Sequence, residues 1–209
     1  MAAWRQRLAA FWRNDRGVAT IEFALALSLL LIPAFIGIVE LSRYVQMNEK
    51  LDDAAAQLLN AVNQSDALTD AQLTYLADAV PDIVKPFAAD GWVAIITAVN
   101  KGPNDDCKLY ASWQSRKGSG DTGGAHSQVA DASGKWATIP GITDLSTNDQ
   151  VVTVELYLQY KPLIPSQMVR DMLHLSPNGV YRFTVGRPRY GAFQNDPVTG
   201  AKITIPCGT

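Results

Sequence analysis

The sequence predicts an α+β protein: a long amino-terminal helix, apolar enough to span a membrane, that leads into an external domain with a mostly antiparallel sheet. Three observations carry this. Residues 23–39 contain no charged side chain. Apolar residues then recur at helical spacing to about Asn63. Beyond that point, stretches with strand character alternate with turns and short helical patterns.

The chain divides on this reading into a basic leader, 1–17, a spanning helix, 18–41, an amphipathic extension, 42–65, and an external α+β domain, 66–209. Of the 209 residues 47% are hydrophobic, but they are concentrated near the start rather than spread evenly. The formal net charge of −2 gives no basic face of the kind a nucleic-acid binder presents.

The leader carries Arg5, Arg7, Arg13 and Arg16 against Asp15, a local balance of +4 − 1 = +3. The positive-inside rule therefore puts the amino terminus in the cytoplasm and Leu41 onward outside. Residues 18–39 are interrupted once, by Glu22, and as a helix would be about 33 Å long, enough for a bilayer core of roughly 30 Å. A cleaved secretory signal fits poorly. Its apolar core would be shorter, and Glu40-Leu41-Ser42-Arg43-Tyr44 offers no small-residue cleavage site. Val45, Leu51, Ala55, Leu58 and Val62 continue the helical spacing, so one helix of about 69 Å is expected to reach Asn63. Pro33 lies inside it and should kink it.

Glu22 demands a reason. A carboxylate inside a spanning helix is unfavourable by about 2.5–3.5 kcal/mol at the centre, and by less near an end, where Glu22 sits. It either reaches the interface or meets a partner charge at the same depth. Farther out, Glu40 and Arg43 share a helix face and read as a solvated rim pair, with contact to a partner as the alternative.

The external domain opens on turn signals at Asn63-Gln64-Ser65-Asp66. Thr69-Asp70-Ala71-Gln72 reads as a capping box that starts a helix with Leu73, Leu76, Ala77 and Val80 on one face. Residues 92–99 are a strand with apolar side chains on both faces, and residues 109–114 form a shorter one. Over 151–160, Val152, Val154, Leu156 and Leu158 alternate with Thr153, Glu155, Tyr157 and Gln159, the pattern of a half-buried strand. Residues 168–175 read as a short amphipathic helix and 180–187 as a last strand. The Gly-, Ser- and Asp-rich stretch 115–135 is expected to be a mobile loop.

Cys107 and Cys207 are the only cysteines. In an oxidising compartment they would pair, the alternative being two reduced thiols. Neither is spaced with His126 or His174 as a metal ligand, so no metal site and no cofactor is expected. Gly118-Ser119-Gly120-Asp121-Thr122-Gly123 matches G-x-G-x-x-G, but no apolar helical stripe follows to receive a pyrophosphate, and the string reads as loop. His126 lacks a partnered nucleophile, and Met168 and Met172 read as core packing. Trp92, Trp113 and Trp136 suit a core as well as a sugar-binding face. No nucleophile elbow, P-loop, H-E-x-x-H or Cys-x-x-Cys occurs, and the protein is expected not to be an enzyme.

The string Asp15-Arg16-Gly17-Val18-Ala19-Thr20-Ile21-Glu22-Phe23 holds a glycine, four residues, a glutamate and an aromatic before the apolar run. With its basic leader it resembles a type IV prepilin cleavage site, and together with Gly37, Glu40 and Arg43 it resembles the TadE-like family of the tight-adherence (Flp) pilus pathway. Major Flp pilins tend to have tyrosine where Phe23 stands and are far shorter, so the likeness is to a minor pseudopilin. The resemblance covers roughly residues 10–65. It implies cutting between Gly17 and Val18 by a prepilin peptidase, with Glu22 and Phe23 as recognition and assembly positions. It further implies bacterial inner-membrane localisation with a periplasmic carboxy-terminal domain. The partners it implies are the Tad secretion platform and other pilins and pseudopilins, TadF-like proteins and the Flp major pilin among them. Adhesion and biofilm formation are the biology it suggests. Loss of the leader would leave a formal charge of −2 − 3 = −5. The rival reading is an uncleaved, signal-anchored envelope protein whose outer domain binds a ligand.

Overall fold

A computed structural model describes residues 18–87, 91–104, 106–119, 124–131, 135–142, 145–162 and 179–207. Helix α1 spans Val18–Asn63 and continues through Pro33. It is followed by α2, Asp70–Ala77, and the single turn α3, Val80–Ile83. The strands are β1, Trp92–Lys101, β2, Leu109–Ser119, β3, Gln150–Leu158, and β4, Val180–Gly186. The fold is α+β, as the periodicities predict. The short helix expected at 168–175, with Met168, Met172 and His174, lies outside the described residues, as do the leader and Gly17.

Two compact units divide the chain, Met1–Arg43 and Tyr44–Thr209. The second is built on a four-stranded antiparallel sheet of order β2-β1-β3-β4. The start of α2 follows from its sequence: the Thr69 hydroxyl accepts from the Gln72 N–H, and the Gln72 side chain accepts in return from the Thr69 N–H at 2.9 Å. Two of the helix's orphan donors are thereby satisfied. The Asp70 carboxylate then ties this helix to β2 through Lys117 Nζ at 2.6 Å.

The main core lies between one face of the sheet and the helices. Trp92, Ala94, Ile96 and Ala98 of β1 and Val152, Val154, Leu156 and Leu158 of β3 meet Met47, Leu51, Ala54, Ala55, Leu58, Leu59 and Val62 of α1. The strand residues alternate at period two and the helical ones at three to four, so both stripes follow from the sequence pattern. Each large aliphatic buried this way stabilises by about 1.5–3 kcal/mol. At the far end of the sheet, Gln150 donates to Asn100 Oδ1 at 2.9 Å and accepts from the Phe193 N–H at 2.7 Å. That buried amide pair seats Phe193 against Trp113, ring centroids 5.8 Å apart. Cys107 and Cys207 are joined in a disulfide, Cα–Cα 4.8 Å, beside Gly102, where a β-carbon would lie 2.8 Å from Cys107.

Two expectations need correction. The stretch 115–135 is not a single loop: Ser115 through Ser119 complete β2, and 124–131 packs on the sheet's second face. As a result β3 is buried on both faces instead of one. Thr153 and Glu155, read as its solvent side, are both 0% exposed. The string at Gly118 has a backbone reason. Gly118 has φ +146, and a β-carbon there would stand 2.2 Å from the Trp92 carbonyl oxygen, so only glycine fits the contact between β2 and β1.

Candidate functional site

The amino-terminal part of α1 is the first candidate. Ile21, Phe23, Leu25, Leu29, Leu30, Ile32, Phe35 and Ile38 are between 60% and 78% exposed. So much large apolar surface in one stretch is far more than a soluble surface carries, and it is consistent with a segment anchored in a membrane. The helix is long and apolar enough to cross a membrane. Its polar side chains agree with that medium. The Ser28 hydroxyl donates to the Ala24 carbonyl at 2.8 Å and Ser42 donates to Ile38 at 2.9 Å, so neither hydroxyl needs water.

Val18 and Glu22 lie one turn apart at the start of α1, about 6 Å along the axis. Both are exposed, and Glu22 has no ion pair or hydrogen bond among the described residues. Phe23, next to it, is 68% exposed. Glu40, read as half of a solvated rim pair with Arg43, is buried.

From Tyr44 onward α1 is held by polar contacts as well as by packing. Arg182 on β4 bonds through Nε to Asp52 at 2.8 Å, through Nη2 to Asn48 and through Nη1 to the Tyr181 carbonyl at 2.9 Å. Tyr44 stands edge-on to Tyr160 at 5.5 Å. At the helix end the Arg189 N–H bonds the Asn63 carbonyl at 2.9 Å, satisfying one of the last orphan acceptors.

On the outer face of the sheet a second polar group is collected around Glu155. Its carboxylate accepts from the Ser127 hydroxyl, from the Gln128 N–H at 2.7 Å and from the Tyr181 hydroxyl at 3.1 Å. Tyr157 gives its hydroxyl to the His126 carbonyl at 2.7 Å. Burial raises the Tyr181 phenol well above its ordinary value, and the neighbouring Glu155 charge raises it further. Tyr157 is raised for the same two reasons, burial first, against a lowering by Gln128. Sequence reading missed this group, because β3 alternates as a strand with one wet face does.

His126 lies in this segment, its Nδ1 3.1 Å from the Gly124 carbonyl, with no nucleophile against it. Trp92 and Trp113 are core residues, and Trp136 packs edge-on to Tyr110 at 6.0 Å. Among the described residues no three His, Cys, Asp or Glu side chains come together as metal ligands.

The family model described as TadE-like protein matches residues 17–58. The matched stretch begins at Gly17, takes in Val18, Glu22 and Phe23, and runs through the exposed apolar part of α1 into the part that packs on the sheet. No curated protein and no solved structure matches the chain.

Proposed function

With a TadE-like segment at the start of the first helix as the premise, we propose that this protein is a minor pseudopilin of the Tad (Flp) type IV pilus assembly system. The match supports an association with Tad pili in general. The finer reading rests on one observation: the matched segment starts at the glycine that precedes, by five positions, a glutamate carried in the otherwise charge-free apolar run 18–39.

In this reading a prepilin peptidase cuts between Gly17 and Val18 on the cytoplasmic side. The helix stays in the inner membrane and residues from Leu41 onward face the periplasm. Cleavage gives Val18 a positive α-amine one turn from Glu22. In an assembly the amine of one subunit neutralises Glu22 of its neighbour in lipid, which sets the axial register. Loss of either partner then leaves a buried charge uncompensated. Phe23 completes the recognition sequence, and the apolar face of 18–39 packs against the helices of TadF-like subunits and the Flp major pilin at the Tad platform. The role is structural rather than catalytic and serves pilus biogenesis and adhesion.

Amino-terminal sequencing of the protein after co-expression with a prepilin peptidase tests this. A chain that starts at Val18 is the expected product. An intact Met1 overturns the pseudopilin reading in favour of a permanently anchored envelope protein.

A further inference from the structure

We propose that a cleft at one end of the sheet, walled by Lys101, Lys108 and Trp136, binds an acidic saccharide. The cleft holds about 580 Å³, within the roughly 300–1,000 Å³ usual for small-ligand sites. It lies at the end of the sheet opposite Tyr44. Lys101 is the last residue of β1, whereas Trp92, the first, pairs with Leu158, two residues before the Tyr160 ring that meets Tyr44. The described walls contain no residue of α1, so binding here is independent of leader cleavage.

The chemistry of the walls selects the ligand. Lys101, 4% exposed, and Lys108, exposed, bring two ammoniums, and no aspartate or glutamate is among the described lining residues. In a chain with 20 acidic against 18 basic residues, this local sign favours an anion. Each ammonium has three donors, so a tie to the protein and a bond to a ligand oxygen can coexist. The rest of the lining includes the half-buried Trp136 indole, the Thr138 hydroxyl and the aliphatic chains of Ile139 and Ile142. An inorganic anion would leave the indole and the aliphatic wall unused. A sugar acid uses all three kinds of group, since one pyranose ring carries an apolar C–H face, hydroxyls and a carboxylate.

The walls are held in place without a ligand. Trp136 is braced edge-on by Tyr110 at 6.0 Å. Its backbone N–H donates to Asp131 Oδ1 at 3.3 Å, that of Ala137 to the Leu109 carbonyl at 3.0 Å, and that of Thr138 to the Val129 carbonyl at 2.8 Å. Pro140 and Gly141 form the tight turn that brings the Ile142 N–H to the Ile139 carbonyl at 3.1 Å, with Gly141 at φ +78. Cys107, another wall residue, is fixed by its bond to Cys207. These N–H groups are all used inside the protein, so the wall offers no strand edge for an acidic peptide to pair with. Recognition falls to the side chains, and a preformed cleft needs little ordering on binding.

The rim is open. Lys108, Thr138 and Pro140 are exposed, and a β-carbon at Gly141 would meet nothing within 4 Å. A saccharide longer than one ring can therefore run out of the cleft on the Pro140-Gly141 side while one ring stays inside.

Ligand-observed NMR titration of trigalacturonate with the full chain, in a sugar-free detergent, tests the site. Saturable binding is expected, weakened by added salt and at least about tenfold weaker in Lys108→Gln and in Trp136→Ala. Lys108 is exposed, so Lys108→Gln keeps the fold and decides the matter if Trp136→Ala unfolds. Maltotriose, which has the rings and hydroxyls without the charge, should bind at least about tenfold more weakly than trigalacturonate. Absence of saturation overturns the proposal, and so does equal binding of maltotriose. Equal binding of triglutamate points to an acidic peptide, and full displacement by equimolar sulfate to an adventitious ion only; either result overturns the saccharide. An affinity unchanged in Lys108→Gln overturns the placement in this cleft.

Discussion

Arg182 on β4 holds Asp52 on α1 at 2.8 Å and reaches Asn48, one helical turn earlier, with the same guanidinium. The two acceptors are four residues apart and therefore share one helix face, which the planar fork can span. Arg182 is only one-third exposed, Asp52 more than half.

Arg182→Ala should lower stability by about 1–2 kcal/mol, since it removes two cross-element bonds and the packing of the aliphatic stem. Asp52→Asn should lower it by less than about 1 kcal/mol, because that half of the pair is solvent-screened. Thermal unfolding of the detergent-solubilised protein reads both. Equal effects would mean that the ion pair, and not the fork, holds the helix.

Removing the cross-link should cost more. A closed loop with a separation of 100 residues corresponds to about 4–5 kcal/mol as an upper figure in the chain-entropy model. Cys107→Ser with Cys207→Ser should depress the unfolding midpoint well beyond Arg182→Ala. Without reductant, the unfolded parent should take up no thiol-alkylating reagent.

Alkaline pH should unfold the domain through Tyr157 and Tyr181. Both phenols are raised in the folded state above their ordinary value of 10.0. The unfolded chain therefore loses these protons first. The stabilisation is complete below about pH 10 and is lost progressively as the pH rises above it. Unfolding midpoints measured between neutral pH and about pH 12, with phenolate absorbance followed in parallel, should fall in this window. Tyr181→Phe should flatten the decline.

Glu22→Gln should be cut between Gly17 and Val18 as the parent is, yet assemble poorly, since a neutral amide gives the new amine no counter-charge. Cross-linking to other pilus subunits in intact cells, with amino-terminal sequencing of the same sample, separates the two steps. A variant that is cut and assembles like the parent removes Glu22 from the register role.

Those parts of the fold whose cause is local could be read from the sequence. Helix α1, the capping box at Thr69 and Gln72, and the apolar stripes of β1 and β3 each follow from spacing over a few residues. What escaped depends on distant pairings. The donors to Glu155 lie 26 to 28 residues away along the chain, Ser127 and Gln128 in a stretch whose glycines and serines read as loop and Tyr181 on the last strand, and nothing near Glu155 announces them. Alternation on β3 tells that two faces differ, and it does not tell that the polar one will be covered. Arg182 likewise looks like an outward strand residue until Asn48 and Asp52, more than a hundred positions earlier, arrive beneath it. At the amino-terminal end of α1 the position is reversed. Gly17, Val18, Glu22 and Phe23 drew notice through their order alone, and the geometry adds only that Val18, Glu22 and Phe23 start a helix with their side chains exposed.

The bond between Cys107 and Cys207 makes a covalent ring of everything between them, including three of the four strands. A protease that nicks this ring once, for instance near Gly124 or Gly141, severs the backbone and still yields a single molecule. On a reducing gel it would run as two bands, and on a non-reducing gel as one. Wherever proteases reach this ring, the molecule keeps all its pieces covalently joined to α1 after the first cut.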